Sequence, residues 1–340
     1  MATAIIADYP AGKRHFDVVS TRVSLPTAML AATIRDGQVA VIEHPDPAPQ
    51  AGELLVRVRA AGLNGADMLQ VAGRYPPPPG APADIPGLEL AGEVVACGDG
   101  VRRFEPGDRV MAVVAGGGQA ELAVVHERMA MPVPEELDWA AAGGMPEVFT
   151  TAHDALFTQA RLTVGERLLV HGAAGGVGMA AVQLGTMAGA RVTATVRDAA
   201  ARERIAALGV RAVEPAGFEG AGPFDVILEL VGAQNLAANL QCLAQQGRIA
   251  IIGVGAGAKA EIDLRVLMGK RGSIHGSTLR VRSLEDKAAA ARRVERNVLP
   301  GFASGDLAVL VAAEYPLARA AEAYERFRAG GKLGKIVLTV

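Results

Sequence analysis

The 340-residue sequence is poor in the side chains that build metal centres and disulfide scaffolds. It holds two cysteines, Cys97 and Cys242, and six histidines. Two cysteines cannot make a disulfide framework or a four-cysteine zinc site. Each reads as a small buried hydrophobe, which fits a reducing, cytoplasmic setting. The histidines, His15, His44, His126, His153, His171 and His275, show no ligand-like pairing. Aromatic residues make up only 4%, with one tryptophan. No apolar run approaches the roughly 18 residues of a membrane span. A formal net charge of −2 gives no bulk attraction to nucleic acid. Solenoid repeats and low-complexity tails are missing too. A chain half apolar and 21% charged remains, with length for about two domains and a large core.

That chain is organised around a glycine-rich turn, His171-Gly172-Ala173-Ala174-Gly175-Gly176-Val177-Gly178. The apolar run Leu168-Leu169-Val170 precedes it. A segment of helical spacing follows and closes at Gly189, a left-handed cap. Strand, glycine turn and helix open a dinucleotide-binding βαβ unit. Gly175 leaves room for a pyrophosphate, Gly178 lets helix and strand pack closely, and the free N–H groups of the helix start face the phosphates. Ala173 replaces the first glycine of G-x-G-x-x-G. The next strand, Arg191–Val196, ends without an acid for a ribose hydroxyl. Asp198 reads as the N-cap of the following helix. Arg197 is then placed to meet a 2′-phosphate, helped by Arg202 or Arg204; the alternative is an arginine on a solvated turn.

Residues 1–28 are expected to be a poorly ordered extension. From Leu30 to about Leu137 the pattern is β-rich, with an extended loop at Tyr75-Pro76-Pro77-Pro78-Pro79-Gly80. From about Thr150, strands and helices alternate through Ser273–Ser277, which predicts a parallel, doubly wound sheet with ligand at its carboxyl ends, as at Gly253-Val254-Gly255. Ser283 opens a helix that stops by Pro300-Gly301. A helix over Leu317–Ala329 and a closing strand over Lys335–Val340 return to the first domain.

Five landmarks in order carry a resemblance: Ala61–Asp67, Gly87–Val94, Pro106–Val110, the Ala173–Gly178 turn and Gly334–Val337. Together they resemble the medium-chain dehydrogenase/reductase superfamily from about Met29 to Val340, in particular its zinc-free quinone oxidoreductase, zeta-crystallin-like branch. Gly73–Pro78, Gly116–Ala120 and Ser277–Arg282 are most similar to its inducible quinone oxidoreductase subgroup. The resemblance implies an α/β chain: a GroES-like β-rich domain (29–150 and 281–340) plus a Rossmann doubly wound parallel-sheet domain (151–280). It implies NADPH, held by Thr151, Ala174, Gly175, Gly176, Val177, Arg197, Gly253, Val254, Gly255, Thr278, Leu279, Arg280 and Lys332. A homodimer through the edge strand Ser273–Ser277 is implied as well.

The alcohol dehydrogenase branch has cysteine where Asn64 stands and histidine where Leu88 stands. Neither present residue replaces a thiolate or imidazole, so no metal is expected. A conjugated acceptor, a quinone or enone, then needs activation from the protein alone. Asn64 is a candidate donor to its carbonyl. Tyr75 is a candidate to stack on it, hydrogen-bond it or contact the cofactor. Asp67 reads as structural, and no side chain stands out as the proton source. The expected function is an NADPH-dependent quinone or enone reductase. The alternatives are a specific enoyl or 2-alkenal reductase, and a nicotinamide-binding sensor or structural protein without turnover.

Overall fold

The computed structural model describes residues 28–340, so the expected N-terminal extension lies outside the described residues, save that Ala28 already belongs to a strand. β1 (Ala28–Arg35) and β2 (Gln38–Pro45) form an antiparallel hairpin. Its turn is Asp36-Gly37, with φ of 50° and 73°. Positive φ at both central residues matches strand twist, and Asp-Gly tolerates it.

β3 (Glu53–Gly62) leads into α1 (Gly65–Val71), a helix inside the stretch expected to be β-rich. Asn64 and Asp67 form a reciprocal capping box at its start, which explains a helix so short. β4 (Glu89–Cys97), β5 (Arg109–Val113), β6 (Leu122–His126) and β7 (Ala130–Pro132) follow. α2 (Trp139–Gly144) and α3 (Pro146–His153) then cross toward the second sheet.

The alternating half runs β8 (Arg167–Val170), α4 (Gly176–Met187), β9 (Arg191–Thr195), α5 (Ala199–Ala206), β10 (Arg211–Val213), β11 (Phe224–Glu229), α6 (Leu236–Cys242), β12 (Leu243–Ile251), α7 (Leu264–Lys270) and β13 (Ser273–Gly276). Its six strands pair in parallel in the order β10-β9-β8-β11-β12-β13. The expected doubly wound sheet is therefore present. Its order reverses at β8, where such sheets bind ligand. Leu168, Leu169 and Val170 are fully buried, as a strand covered on both faces requires. A Cβ at Gly185 would lie 2.6 Å from Leu168 Cδ2. Gly185 thus permits the close helix–strand approach expected from Gly178. Gly178 instead abuts the turn itself, with Gly172 O at 2.5 Å from a Cβ.

α8 (Leu284–Asn297) is capped by Ser283, whose Oγ accepts from the Asp286 N–H. α8 ends at Asn297, so it stops by Pro300-Gly301 as expected, and a short separate helix follows. Pro300 sits in the first turn of α9 (Leu299–Ala303), where its missing N–H costs nothing. β14 (Val311–Pro316), unforeseen, precedes α10 (Ala320–Arg328) and β15 (Lys335–Thr339). A seven-stranded sheet forms in the order β14-β15-β3-β4-β5-β7, with β6 also on β3. Leu54, Val56, Leu90 and Val110 are fully buried in its core, each contributing about 1.5–3 kcal/mol. Val294, Val298 and Phe302 join the other sheet's core, with Phe302 edge-on to Phe149 at 5.0 Å.

Candidate active site

Between the two sheets lies a cavity of about 580 Å³. The N-terminus of α4 forms one wall through Gly175, Gly176, Val177 and Gly178. Gly175 is the N-cap, and no side chain caps the helix. Its first N–H groups are therefore available to an anion. A Cβ on Gly175 would meet only Gly172 O, at 3.4 Å, so the approach outside it is open. These residues fit the pyrophosphate of a dinucleotide. Gly253, Val254 and Gly255, at the end of β12, form a second edge. Behind the turn, Glu229 accepts from the N–H groups of Val231 (2.7 Å) and Gly232 (2.9 Å) and from Asn239 (2.8 Å). Asn239 in turn meets His171 Nε2 at 2.8 Å. This buried network fixes the loop that carries Leu230 into the cavity wall.

Of the expected site residues, all but Ala174 and Arg197 line this cavity. The Ala174 carbonyl accepts from the Gly334 N–H at 2.9 Å and faces the C-terminal segment instead. Arg197 is exposed on the turn after β9. Asp198 caps α5, accepting from the Ala201 N–H at 2.8 Å. Arg202 is drawn away to Glu214 at 2.9 Å.

Three expectations change in detail. Asn64 reaches the cavity, but its amide is committed. Its Nδ2 donates to Glu89 at 2.8 Å and weakly to the Gly62 carbonyl at 3.4 Å, while its Oδ1 accepts from Lys335 at 2.8 Å. Arg280 is buried and donates to Ala115 O, Tyr75 O and Gln70 Oε1 at 2.8, 3.0 and 2.6 Å. Its guanidinium ties loops together across the cleft and has little left for a phosphate. Tyr75 stacks under that guanidinium at 4.9 Å, and its hydroxyl meets Thr278 at 3.3 Å.

Sequence reasoning missed the charged floor of the cavity. Glu89 opens β4 and Lys335 opens β15; both are buried. Lys335 Nζ donates to Glu89 at 2.5 Å, to Leu63 O at 2.8 Å and to Asn64. The other Glu89 oxygen accepts from the Glu147 N–H at 2.8 Å. Asp67 behaves as the structural residue expected, accepting from the N–H groups of Asn64 (2.8 Å) and Gly87 (3.2 Å). Burial nevertheless raises its pKa to about 6. Glu147, in the first turn of α3, lines the cavity, and burial with the nearby Glu89 charge raises its pKa to about 8. Lys332 sits 4.4 Å from the Phe327 ring, and burial with the Lys335 charge lowers its pKa to about 8. Asp154 is held by Arg282 at 2.6 and 3.0 Å. The only signal in the sequence was a charged residue at the start of an otherwise apolar strand.

The donor set beside Asn64 and Leu88 does not suit zinc. An amide, an alkyl side chain and the Lys335 ammonium stand there. Among the described residues no cluster of three or more His, Cys, Asp or Glu side chains is placed to hold a metal. No helix among them is long and apolar enough to cross a membrane.

Residues 50–135 match the alcohol dehydrogenase GroES-like domain family, and residues 201–338 the zinc-binding dehydrogenase family. The quinone oxidoreductase of Rattus norvegicus is 33% identical over 86% of this chain and 90% of its own. A segment of the polyketide synthase GfsB of Streptomyces halstedii is 34% identical over 85% of this chain but only 5% of that protein. The crystal structure of the human synaptic vesicle membrane protein VAT-1 homolog-like protein superposes with a TM-score of 0.80 at 27% identity, covering 93% of this chain and 99% of that one. A third of the residues identical over most of both chains makes the relationship one of family: the chain belongs to the quinone oxidoreductase, zeta-crystallin-like group of the medium-chain dehydrogenase/reductase superfamily.

Proposed function

We propose that the protein is an NADPH-dependent, zinc-independent reductase that passes hydride to a quinone or conjugated enone. The observation that carries the reading is a cavity in which an uncapped helix N-terminus faces an apolar wall of Leu63, Leu69 and Leu88. A reduced nicotinamide bound there supplies the hydride. The α4 N-terminus holds its pyrophosphate, and the leucines exclude water and orient a flat conjugated acceptor. The acid after β9, Asp198, is taken up in capping α5, and Arg197 stands beside it toward the ribose position, which supports NADPH over NADH. Asn64, Leu88 and Lys335 support reduction without zinc.

Purified protein mixed with NADPH and either a quinone or a small enone, before and after exhaustive chelation, tests the reading. Oxidation of NADPH that survives chelation is the expected result. A strong bias to one small enone favours the specific alkenal reductase, and no oxidation with either acceptor favours a binding protein without turnover. A homodimer joined along β13 is part of the same proposal, since β13 pairs only with β12 among the described residues and leaves one edge open.

A further inference from the structure

We propose that Glu147 is the proton donor of this reduction. The proposal rests on the reductase reading above and deepens it. Each hydride delivered to a conjugated carbonyl must be matched by one proton. Lys332, whose pKa is also about 8, is turned onto the Gly334 carbonyl at 2.9 Å and the Phe327 ring, and three further polar groups of the cavity are poorly suited to give it. Lys335 spends its three N–H bonds on Leu63 O, Asn64 and Glu89. Asp154 accepts two hydrogen bonds from Arg282, which suits a carboxylate. The Tyr75 hydroxyl is paired with Thr278.

Glu147 and Glu89 form a pair of carboxyl groups with opposite surroundings. Glu89 meets donors only: Lys335, the Asn64 amide and the Glu147 backbone N–H. Both its oxygens are thereby turned to donors, one of them the N–H at the start of α3. The Glu147 side chain accepts one long hydrogen bond, from Thr151 Oγ1 at 3.4 Å, and otherwise faces the cavity. Two neighbouring carboxyls do not both ionise readily, and the one with fewer donors keeps the proton. The charged groups facing Glu147 are Glu89 from β4, Asp67 from α1, Lys335 from β15 and Arg280 from the loop after β13. Burial first, then Glu89 and Asp67, hold its pKa up against Lys335 and Thr151, at about 8. The carboxyl therefore carries a proton at neutral pH and titrates close enough to neutrality to release it.

The step balances. The acceptor gains two electrons as hydride on carbon from the bound dihydronicotinamide, which is left oxidised. The C=C π pair shifts to become the C=C of the enol, and the C=O π pair moves onto the oxygen. The O–H bond of Glu147 breaks, and its proton makes the new O–H bond of that enol, which tautomerises to the saturated ketone or, from a quinone, to the hydroquinone. Glu147 is left as a carboxylate and takes a proton back from water.

The test uses the full chain with Glu147→Gln, which keeps shape but has no acidic proton, and Glu147→Asp. The first measurement needs no cofactor. Wild-type Glu147 keeps its proton up to about pH 8, whereas an unfolded glutamate loses it near 4.5. Between those values the native state holds an extra proton, so stability falls as pH rises. Thermal melts should show Glu147→Gln gaining on wild type from pH 5 to pH 8. A constant difference in melting temperature across that range means an ionised carboxyl and overturns the proposal. The second measurement is turnover of an enone with NADPH. Glu147→Gln should lower kcat by about a hundredfold or more, leave the NADPH dissociation constant unchanged, and abolish the fall in kcat above pH 8. Glu147→Asp should restore part of the rate. A Gln variant with wild-type kcat and pH profile overturns the proposal while the reductase reading stands. A wild type that reduces neither acceptor overturns the reductase reading itself.

Discussion

Lys335 and Glu89 meet across an intervening strand: one opens β15, the other opens β4, and β3 runs between them. Both are buried, at 3% and 0% side-chain exposure. Removing one partner strands the other charge, which costs about 3–5 kcal/mol. Lys335→Met should lose that much in urea unfolding at neutral pH. Adding Glu89→Gln to it should recover part of the loss, because no unpaired charge remains. A Lys335→Met protein within 1 kcal/mol of wild type, a margin set by the roughly 0–1 kcal/mol typical of exposed pairs, would mean the pair is wet and unimportant.

Two glycines of the same turn should fail differently. A methyl on Gly178 would press on Gly172 O and on Ala173 Cα, at 2.5 and 2.6 Å. Gly178→Ala should lose about 1–3 kcal/mol of stability. Gly175 has ordinary extended backbone, φ −76° and ψ 167°, and open space beyond it. Gly175→Ala should fold like wild type and bind NADPH more weakly, because its methyl stands where phosphate must come. Equal NADPH affinity in Gly175→Ala, by dihydronicotinamide fluorescence, would move the pyrophosphate elsewhere.

The Arg197 side chain is exposed and makes no hydrogen bond or ion pair among the described residues. A charge-assisted bond to a 2′-phosphate contributes about 1.5–3 kcal/mol, and exposure argues for the lower end. NADPH should be preferred over NADH by at least about tenfold. Arg197→Ala should erase most of that ratio and leave NADH use nearly unchanged. Added salt should weaken the preference. An unaltered ratio in the variant would leave Arg197 as a solvated turn residue.

Light scattering at micromolar concentration should give a dimer. Besides the open edge of β13, α7 exposes Leu264 and Met268 at 63% and 74%. Covering such side chains is a usual driving force for self-association. A monomer that is fully active would remove the edge strand from the account.

The cofactor side of the cavity was legible because its signals are local. A glycine turn sits between an apolar strand and a helix, and everything needed to read it lies within about 20 residues. The Asp36-Gly37 hairpin and α1 went unread, although both carry local signatures: a turn dipeptide and a capping box. β14 hid for another reason. Its burial alternates as a strand's does, but Val311-Ala312-Ala313-Glu314-Tyr315-Pro316 do not alternate apolar and polar and end in proline, so the sequence does not mark a strand. The charged floor left only a faint trace, a charge at the start of an otherwise apolar strand. Glu89, Glu147 and Lys335 each look like an ordinary charge at the start of an element, and only the sheet order places them together. Asn64 was found by position, but its committed amide depended on those unseen partners.

The strand order also sets a timetable. Ribosomes deliver Lys335 246 residues after Glu89, or roughly 12–50 s later at about 5–20 residues per second. Until then β4 cannot bury its glutamate beside a cation, and the flank of β3 that β15 will cover stays open to any other strand. β3 and β4 must therefore wait, with one flank unpaired, for a strand made long after them. The hazard on the way to the native state is premature pairing of that open flank.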